Sequence, residues 1–494
     1  MAYKAIDSFL RFITMGAIAT RHMIHLLEQR GYQMIELERY ASSNKVWQTK
    51  VKRLRLPDLM CVRTGIRFEV RAKSNLKIEM SHAPGNPDRY WDAGLRDRDV
   101  VVLVKAYEDQ GKIRLGNQIN AFHVSTLRTC QNIARVGGIK ASSEGSERTI
   151  TWPAWVPSAD GVMDNVVHNP AGTIERVRVR YDDGRAYTYS HMEDKHVYVP
   201  EGQRFVGNEQ FVLGLPNEMA TLIANETEWV PANDFDSDEL SDRFAAVKAY
   251  MRLDPAPVID RLRHILSDDK EDLRIRLEAA GVLARHGLDQ GLIFLSNYAL
   301  SAETDAAWIM EAVLILSELS DRPDVVDVLC SILANSQHAE ARAAAAWGLG
   351  NTAEALPTLL NYLNDPDMDV AKHAVIAASR LVVDTATTQA VCQFFSLDER
   401  LAASASEVLA RAQEPDVSVL LNYADADASD TIKKWAFATL ARRNANKIRL
   451  HPQWHSHGDQ LRHALESAWF GPEHSWLVDN DVAVELNSLE LQKL

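Results

Sequence analysis

Cysteine is scarce. The 494 residues contain four, Cys61, Cys130, Cys330 and Cys392, far apart and with no CxxC pair. That spacing argues against a disulfide framework and a zinc ribbon, and it suits a reducing cytoplasm. Long apolar runs are missing as well: nothing approaches the roughly 18 consecutive apolar residues of a membrane span. The most apolar N-terminal stretch, Phe9–Thr20, is broken by Arg11 and has no clear small-residue cleavage site after it, so no signal peptide is expected. The chain has no Walker A loop, GxGxxG, HExxH or GxSxG, which leaves ATP-driven chemistry unsupported. Low-complexity composition is equally absent. A hydrophobic share of 46% and a charged share of 25% are those of ordinary globular protein, and the length suggests about three domains.

The formal charge of −14 would by itself argue against a nucleic-acid partner. It is unevenly spread. Residues 1–150 carry 25 Lys and Arg against 15 Asp and Glu, a net +10, which leaves −24 on the remainder. A basic N-terminal region on an acidic body is compatible with phosphate binding at one end. The acidic remainder reads as a surface kept soluble by like charge, or as a face for a basic partner.

The C-terminal half repeats itself. Arg276–Arg285, Arg342–Gly350, Lys372–Leu381 and Lys433–Arg442 are Ala-rich amphipathic segments. Aligning Leu283, Leu316, Leu349, Leu381, Leu409 and Leu440 gives steps of 33, 33, 32, 28 and 31 residues, and Ala246 extends the series back by one unit. Second apolar segments lie between them, for example Val325–Leu333, separated by turns such as Asn364–Asp367. Helix pairs at this period mean an α-solenoid. The pattern resembles short HEAT repeats over residues 238–445, with 446–494, which holds Trp454, Trp469 and Trp476, as a C-terminal cap. His451, His455, His457 and His463 lie in that cap. Pro452 and Gly458 break the helix that a zinc-binding spacing would need.

Residues 151–232 read as a small β barrel or sandwich. Thr173–Tyr181 alternates, Asp182-Asp183-Gly184 turns, and Ala186–Tyr189 returns. His196–Val199 and Gln210–Leu213 supply further strands. Residues 1–150 read as mixed α/β: a helix Met15–Arg30 ended by Gly31, a strand Tyr32–Arg39, a hairpin of Leu59–Arg63 and Ile66–Arg71 turned at Thr64-Gly65, a short helix Asp88–Leu95, and a buried strand Val100–Val104. The expected fold class is thus multidomain α+β, with an α/β domain, a small β-rich domain and a helical solenoid.

One cluster has the makings of chemistry: Pro57-Asp58, then Glu69-Val70-Arg71-Ala72-Lys73. Strand alternation sets Ile66, Phe68 and Val70 on one face and Arg67, Glu69 and Arg71 on the other. Lys73 falls on the charged face, and the hairpin can bring Asp58 to Glu69. Two carboxylates beside a cation can hold Mg²⁺ or Mn²⁺ with open water positions, and a neighbouring Lys can stabilise a pentavalent phosphate. Around them lie Lys50, Lys52, Arg53, Arg55, Arg63, Arg67 and Lys77, a basic stripe suited to phosphate contacts or to guarding a solvated edge strand. Trp47 and Tyr90 are candidates for base stacking or for the core. Asp88 reads as a helix-start residue, and Asp92 as a remote candidate for the metal.

Helix, strand, Pro-Asp at a strand start, hairpin and Glu-x-basic together resemble the PD-(D/E)xK nucleases, the restriction-endonuclease-like fold, over residues 10–130. The resemblance implies Asp58 and Glu69 as metal ligands and a catalytic Lys two residues after the Glu. That position holds Arg71, with Lys73 as the substitute on the same face. The acid that family members often carry on the first helix is missing from Ala19-Thr20-Arg21; Glu36 and Glu38 are the replacement candidates, of which only one alternation face can serve. The expectation is a cytoplasmic, metal-dependent nuclease acting on DNA, with RNA as the other candidate, through Asp58, Glu69, Arg71 and Lys73. The repeats would select a protein partner, an architecture like that of prokaryotic genome-defence proteins. The alternatives are a non-catalytic nucleic-acid-binding adapter with a degenerate nuclease fold, and a protein scaffold.

Overall fold

The computed structural model describes residues 6–37, 47, 49, 54–109, 112–139, 147–190, 194–222, 228–425 and 429–442. The expected cap and its histidines lie outside these residues. Two compact units emerge, Met1–Ser43 with Arg53–Asp254, and Asn44–Lys52 with Pro255–Leu494.

The first unit opens with α1 (Ile6–Glu28), closed by Gly31 at φ 87°, a left-handed position that glycine adopts without a Cβ penalty. Strands β1 (Met34–Glu36), β2 (Leu59–Cys61) and β3 (Arg67–Lys73) follow as an antiparallel run. The β2–β3 turn uses Gly65 at φ 65°, and a Cβ there would come within 2.7 Å of the Trp229 ring. Next come β4 (Glu79–His82), β5 (Val100–Asp109), β6 (Lys112–Leu115), β7 (Asn120–His123), α2 (Val124–Thr129), β8 (Arg135–Val136) and β9 (Arg148–Thr151). Strand β5 joins β3 in parallel and β6 and β7 antiparallel, while β4, β9 and β8 form a separate three-stranded sheet. The expected helix at Asp88–Leu95 is instead a 3-10 turn, Pro87–Arg89, followed by further turns. Asn86 caps it by accepting from the Asp88 N–H at 3.1 Å, and two prolines and two glycines within Ala83–Gly94 leave no room for a regular helix.

The Val100–Val104 stretch of β5 is buried on both faces, which explains its unbroken aliphatic run. Val100, Val102 and Val104 pack with Met23, Leu27 and Phe68 on the α1 side. Val101 and Leu103 pack with Trp91, Phe122, Ile150, Trp152, Phe211 and Leu215 on the other. That second core crosses residue 150, so the expected boundary between an α/β domain and a β domain there corresponds to no break in packing. Asn120 reinforces the join: its Nδ2 donates to Glu209 O at 2.8 Å and its Oδ1 accepts from Phe211 N at 2.8 Å.

The middle strands are β10 (Gly161–His168), β11 (Ile174–Tyr181), β12 (Ala186–Ser190), β13 (His196–Val197), β14 (Arg204–Phe205) and β15 (Leu213–Gly214). They form a four-stranded sheet, β12-β11-β10-β14, and a β13–β15 pair, which share a core of Met163, Val177, Val179, Val199, Phe205 and Leu213. The long strand β10 escaped the sequence reading because Asp164 and Asn165 interrupt its alternation at a bulge. The unit ends with α3 (Leu240–Ala249), whose Ala245 and Ala249 pack on Leu37, Met60 and Val62. Ala246, expected to extend the repeats backward, therefore belongs to the first unit.

The second unit is a succession of helices: α4 (Ile259–Ser267), α5 (Leu273–Arg285), α6 (Asp289–Leu300), α7 (Ala306–Glu318), α8 (Pro323–Asn335), α9 (Ala339–Leu349), α10 (Leu356–Leu360), α11 (Met368–Leu381), α12 (Thr385–Cys392), α13 (Glu399–Arg411), α14 (Val417–Asp425) and α15 (Asp430–Arg442). Helices α5, α7, α9, α11, α13 and α15 stack in sequence, and each packs with a second helix alongside. The aligned leucines Leu283, Leu316, Leu349, Leu409 and Leu440 are buried, and Leu381 is half-buried. Small residues bring the helices close. At Gly291 a Cβ would lie 2.2 Å from the Ala280 carbonyl oxygen.

Part of the acidic excess proves to be helix chemistry. Asp272, Asp305, Asp367 and Asp398 each cap a stacked helix, accepting a backbone N–H of the first turn. Asp367 takes two, from Asp369 at 2.9 Å and Val370 at 3.2 Å. Asp367→Ala is expected to lower the stability of the second unit by about 1 kcal/mol, read from the urea midpoint.

The cysteines are core residues: Cys61, Cys130 and Cys392 are buried, Cys330 only partly. Burial pushes the Cys392 thiol up to about 12 and raises Cys130 and Cys330 as well. At about pH 8 these three stay overwhelmingly protonated and poorly nucleophilic. A thiol reagent on the native protein should therefore label Cys330 first and slowly, and all four at once only after denaturation.

Candidate functional site

The hairpin places Asp58 and Glu69 as the spacing suggested. Leu59 pairs with Phe68 and Met60 with Arg67, so the same register sets Asp58 opposite Glu69. Strand pleat then puts Asp58, Met60, Arg67, Glu69 and Arg71 on one face, away from the α1 core that holds Leu59 and Phe68. Glu36 pairs with Leu59, so alternation puts it on the opposite face from Asp58. It is not the replacement ligand; Glu38 lies outside the described residues.

Much of the charged face, read from the sequence as open to phosphate or to solvent, is covered. Helix α3 lies over the Met60 end of the face. Arg67 is 1% exposed and donates through Nη2 to the Asp242 carboxylate and, at 3.4 Å, to Ser241 O. Its backbone N–H donates to Asp99 Oδ1 at 3.3 Å, and Arg96 ties Asp99 (3.0 Å) to Asp242 (3.7 Å). Burial, and the like charge of Arg96, hold the Arg67 pKa below the ordinary arginine value. Arg67 is therefore a structural cation and not a phosphate contact.

Asp58 is buried. Its Oδ2 accepts the Val70 N–H at 2.7 Å and lies 3.9 Å from Arg71 Nη1. Arg71 Nη2 donates to Glu69 Oε1. The two carboxylates thus share one guanidinium, which supplies the positive charge between them. Lys73 pairs with Glu79 of β4 at 3.3 Å.

The divalent cation implied by the nuclease resemblance does not fit this arrangement. Arg71 offsets one of the two carboxylate charges, bound closely to Glu69 and 3.9 Å from Asp58, and its fixed charge would repel a metal placed beside it. One Asp58 oxygen is engaged by backbone, and among the described residues no group of three His, Cys, Asp or Glu could hold a metal ion.

The remaining candidates separate. Lys50, Lys52 and Arg53 lie outside the described residues. Arg55 is exposed and donates to Asp88 O at 2.8 Å; Arg63 and Lys77 are exposed. Asp88 starts the 3-10 turn, as its position suggested. Asp92 accepts from Arg128 Nε at 2.8 Å and has no part in an Asp58–Glu69 centre. Trp47 is buried and stacks on His373, with ring centroids 5.0 Å apart, so it is not free to stack on a base. Tyr90 is 40% exposed. Helix α3 and Arg96 were missed. The available signal was the acid at Asp242 within an Ala-rich segment, which the repeat periodicity had claimed for the solenoid.

A family model described as HEAT repeats matches residues 326–410. No curated protein matches the chain. Among solved structures, the CpcE–CpcF complex of phycocyanin lyase from Nostoc sp. PCC7120 is similar at 19% identity, over 49% of this chain and 96% of that one, with a TM-score of 0.24. YibA from E. coli is similar at 17% identity over 49% and 92%, with a TM-score of 0.27. Human deoxyhypusine hydroxylase in complex with glycerol is similar at 16% identity over 43% and 94%, with a TM-score of 0.22. The repeat region is HEAT-like, and HEAT repeats suggest a protein-interaction scaffold. Among the described residues no helix is long and apolar enough to cross a membrane.

Proposed function

We propose that this chain is a non-catalytic adapter whose HEAT-like array carries a protein partner. The observation behind it is the unbroken stack from α5 to α15, with its HEAT-repeat match at 326–410. Such a stack buries its repeats against one another and leaves extended outer surfaces for a partner. With −15 on residues 255–494, a basic partner is the complementary choice. The Arg71 bridge between Asp58 and Glu69 favours an adapter over a metal-dependent nuclease, because the cation position is already filled. Nucleic acid, if it is also bound, is then held without being cut, with Arg55 and Lys77 as exposed contacts.

The test uses the full chain with supercoiled plasmid and with single-stranded DNA in Mg²⁺ or Mn²⁺, beside Asp58→Ala and Glu69→Ala. The expected result is no cleavage by any of the three proteins. Cleavage by the parent that either substitution abolishes would overturn the adapter and restore the nuclease. In parallel, cross-linking in host cells should map a basic protein to residues 255–442. Cross-links confined to residues 54–254 would remove the array from the interaction.

A further inference from the structure

A pocket of about 640 Å³ opens in the first unit, beside the three-stranded β4-β9-β8 sheet and against the β12 and β15 edges of the middle strands. Its size falls among small-molecule sites, roughly 300–1,000 Å³. Of the basic residues grouped with Asp58 and Glu69 in the sequence, Lys77 alone lines it; Asp58, Glu69, Arg71 and Lys73 do not.

Its walls are of two kinds. On one side Trp155 meets Tyr189, with ring centroids 4.6 Å apart and planes at 52°, beside Pro153, Ala154 and Leu213. Trp155 is held in place by backbone: its N–H donates to Leu213 O at 2.8 Å, and its carbonyl accepts from Val212 N at 3.0 Å. Both rings are only partly buried, so the pair presents π surface to the pocket. On the other side stand Lys77 and Arg135. Arg135 pairs with Thr151 and Thr151 with Glu79, while Trp152 N donates to Ile78 O at 2.9 Å. The sheet therefore delivers both cations to the same end. Both are exposed, and among the described residues neither has an ion-pair partner. The other charged residues lining the pocket, Lys195 and Asp194, pair with each other at 2.8 Å and cancel.

We propose that this pocket binds a nucleotide, its base against Trp155 and Tyr189 and its phosphate at Lys77 and Arg135. A fixed aromatic pair offers stacking to any planar base, worth about 1–3 kcal/mol per base. Two unneutralised cations at the same end select an anion over a neutral ring. The shared chemistry is base plus phosphate, which either a free nucleotide or the unpaired end of a strand supplies. The site is independent of any partner on the array and of whether Asp58 and Glu69 hold a metal.

The experiment titrates the full chain with AMP, with a 5′-phosphorylated single-stranded decathymidylate and with inorganic phosphate. It follows tryptophan fluorescence for AMP and phosphate, and polarisation of a labelled strand. The variants are Lys77→Ala with Arg135→Ala, exposed positions whose loss leaves the core intact, and separately Tyr189→Ala. Circular dichroism checks that each still folds. Saturable binding of AMP or of the strand is expected, weakened about tenfold or more by the double variant, by Tyr189→Ala and by raised salt. AMP binding identifies a free-nucleotide site, and binding of the strand alone identifies a strand-end site. The proposal is overturned by no binding of either up to about 1 mM, by phosphate binding as tightly as AMP, or by affinities that the folded variants leave unchanged.

Discussion

Arg67→Ala should cost the first unit about 3–5 kcal/mol, the penalty of breaking a buried ion pair from one side. Arg67 is 1% exposed and sits between Asp242 and Asp99, which is fully buried. Truncation leaves Asp242 with only the longer Arg96 contact at 3.7 Å and opens a void under α3. Equilibrium urea denaturation of the full chain, followed by tryptophan fluorescence, would show the loss as a lowered midpoint for this unit. A paired replacement, Arg67→Met with Asp242→Leu, should recover most of it, since apolar packing often equals a buried ion pair in stability. Among the described residues, Arg67 Nε and Nη1 have no hydrogen-bond partner, so the native pair already carries an unrecovered desolvation cost. If Arg67→Ala were as stable as the parent, Arg67 would have to be solvent-exposed, and the basic stripe would regain a member.

Trp152→Ala should be of similar size, about 3–5 kcal/mol for an aromatic removed from a core. Trp152 is 2% exposed, packs edge-on to Trp91 at 5.0 Å, and donates from Nε1 to Leu127 O at 3.1 Å. It stands where the charge and periodicity of the sequence suggested a domain boundary, yet its core joins strands on both sides of that point. The substitution is therefore expected to shift unfolding of residues before and after 150 together. Hydrogen exchange would register this as parallel loss of protection in Val100–Val104 and in Phe211–Leu215. Loss confined to residues before 150 would mean that the middle strands fold as a separate domain.

Much of the architecture was legible in the sequence. A leucine recurring every 28 to 33 residues among alanines has few solutions besides stacked helix pairs, because each helix must bury the same stripe against a neighbour. The β2–β3 hairpin was equally readable, since Thr64-Gly65 fixes the turn and period-two alternation fixes which side chains share a face. That was enough to bring Asp58 opposite Glu69. That Ala246 lies in an Ala-rich segment was readable too, but not its place: an Ala-rich helix with one apolar face packs on a sheet as readily as on another helix.

Charge was the least legible property. Local pattern alone left Arg67, Glu69 and Arg71 as equivalent members of one strand face, although Arg67 is buried and Arg71 is 38% exposed. Which of two like residues on a strand meets water depends on what covers the strand, and the cover here comes from residues more than 170 positions away. The same holds for Asp58 and Glu69. Alternation brought the carboxylates together, but the tertiary placement of Arg71 between them decided that they face a guanidinium.

The sequence alone determined the repeating helices, the hairpin and its register, and the uneven charge, because each follows from periodicities of two or 3.6 residues and from turn chemistry within a few positions. Tertiary structure decided the rest: that one apolar core holds residues from both sides of position 150, that α3 packs on the sheet, that Arg67 is buried, and that Trp155, Tyr189, Lys77 and Arg135 line one pocket. Burial and charge pairing are long-range quantities, fixed only when segments distant in the chain exclude water from the same place.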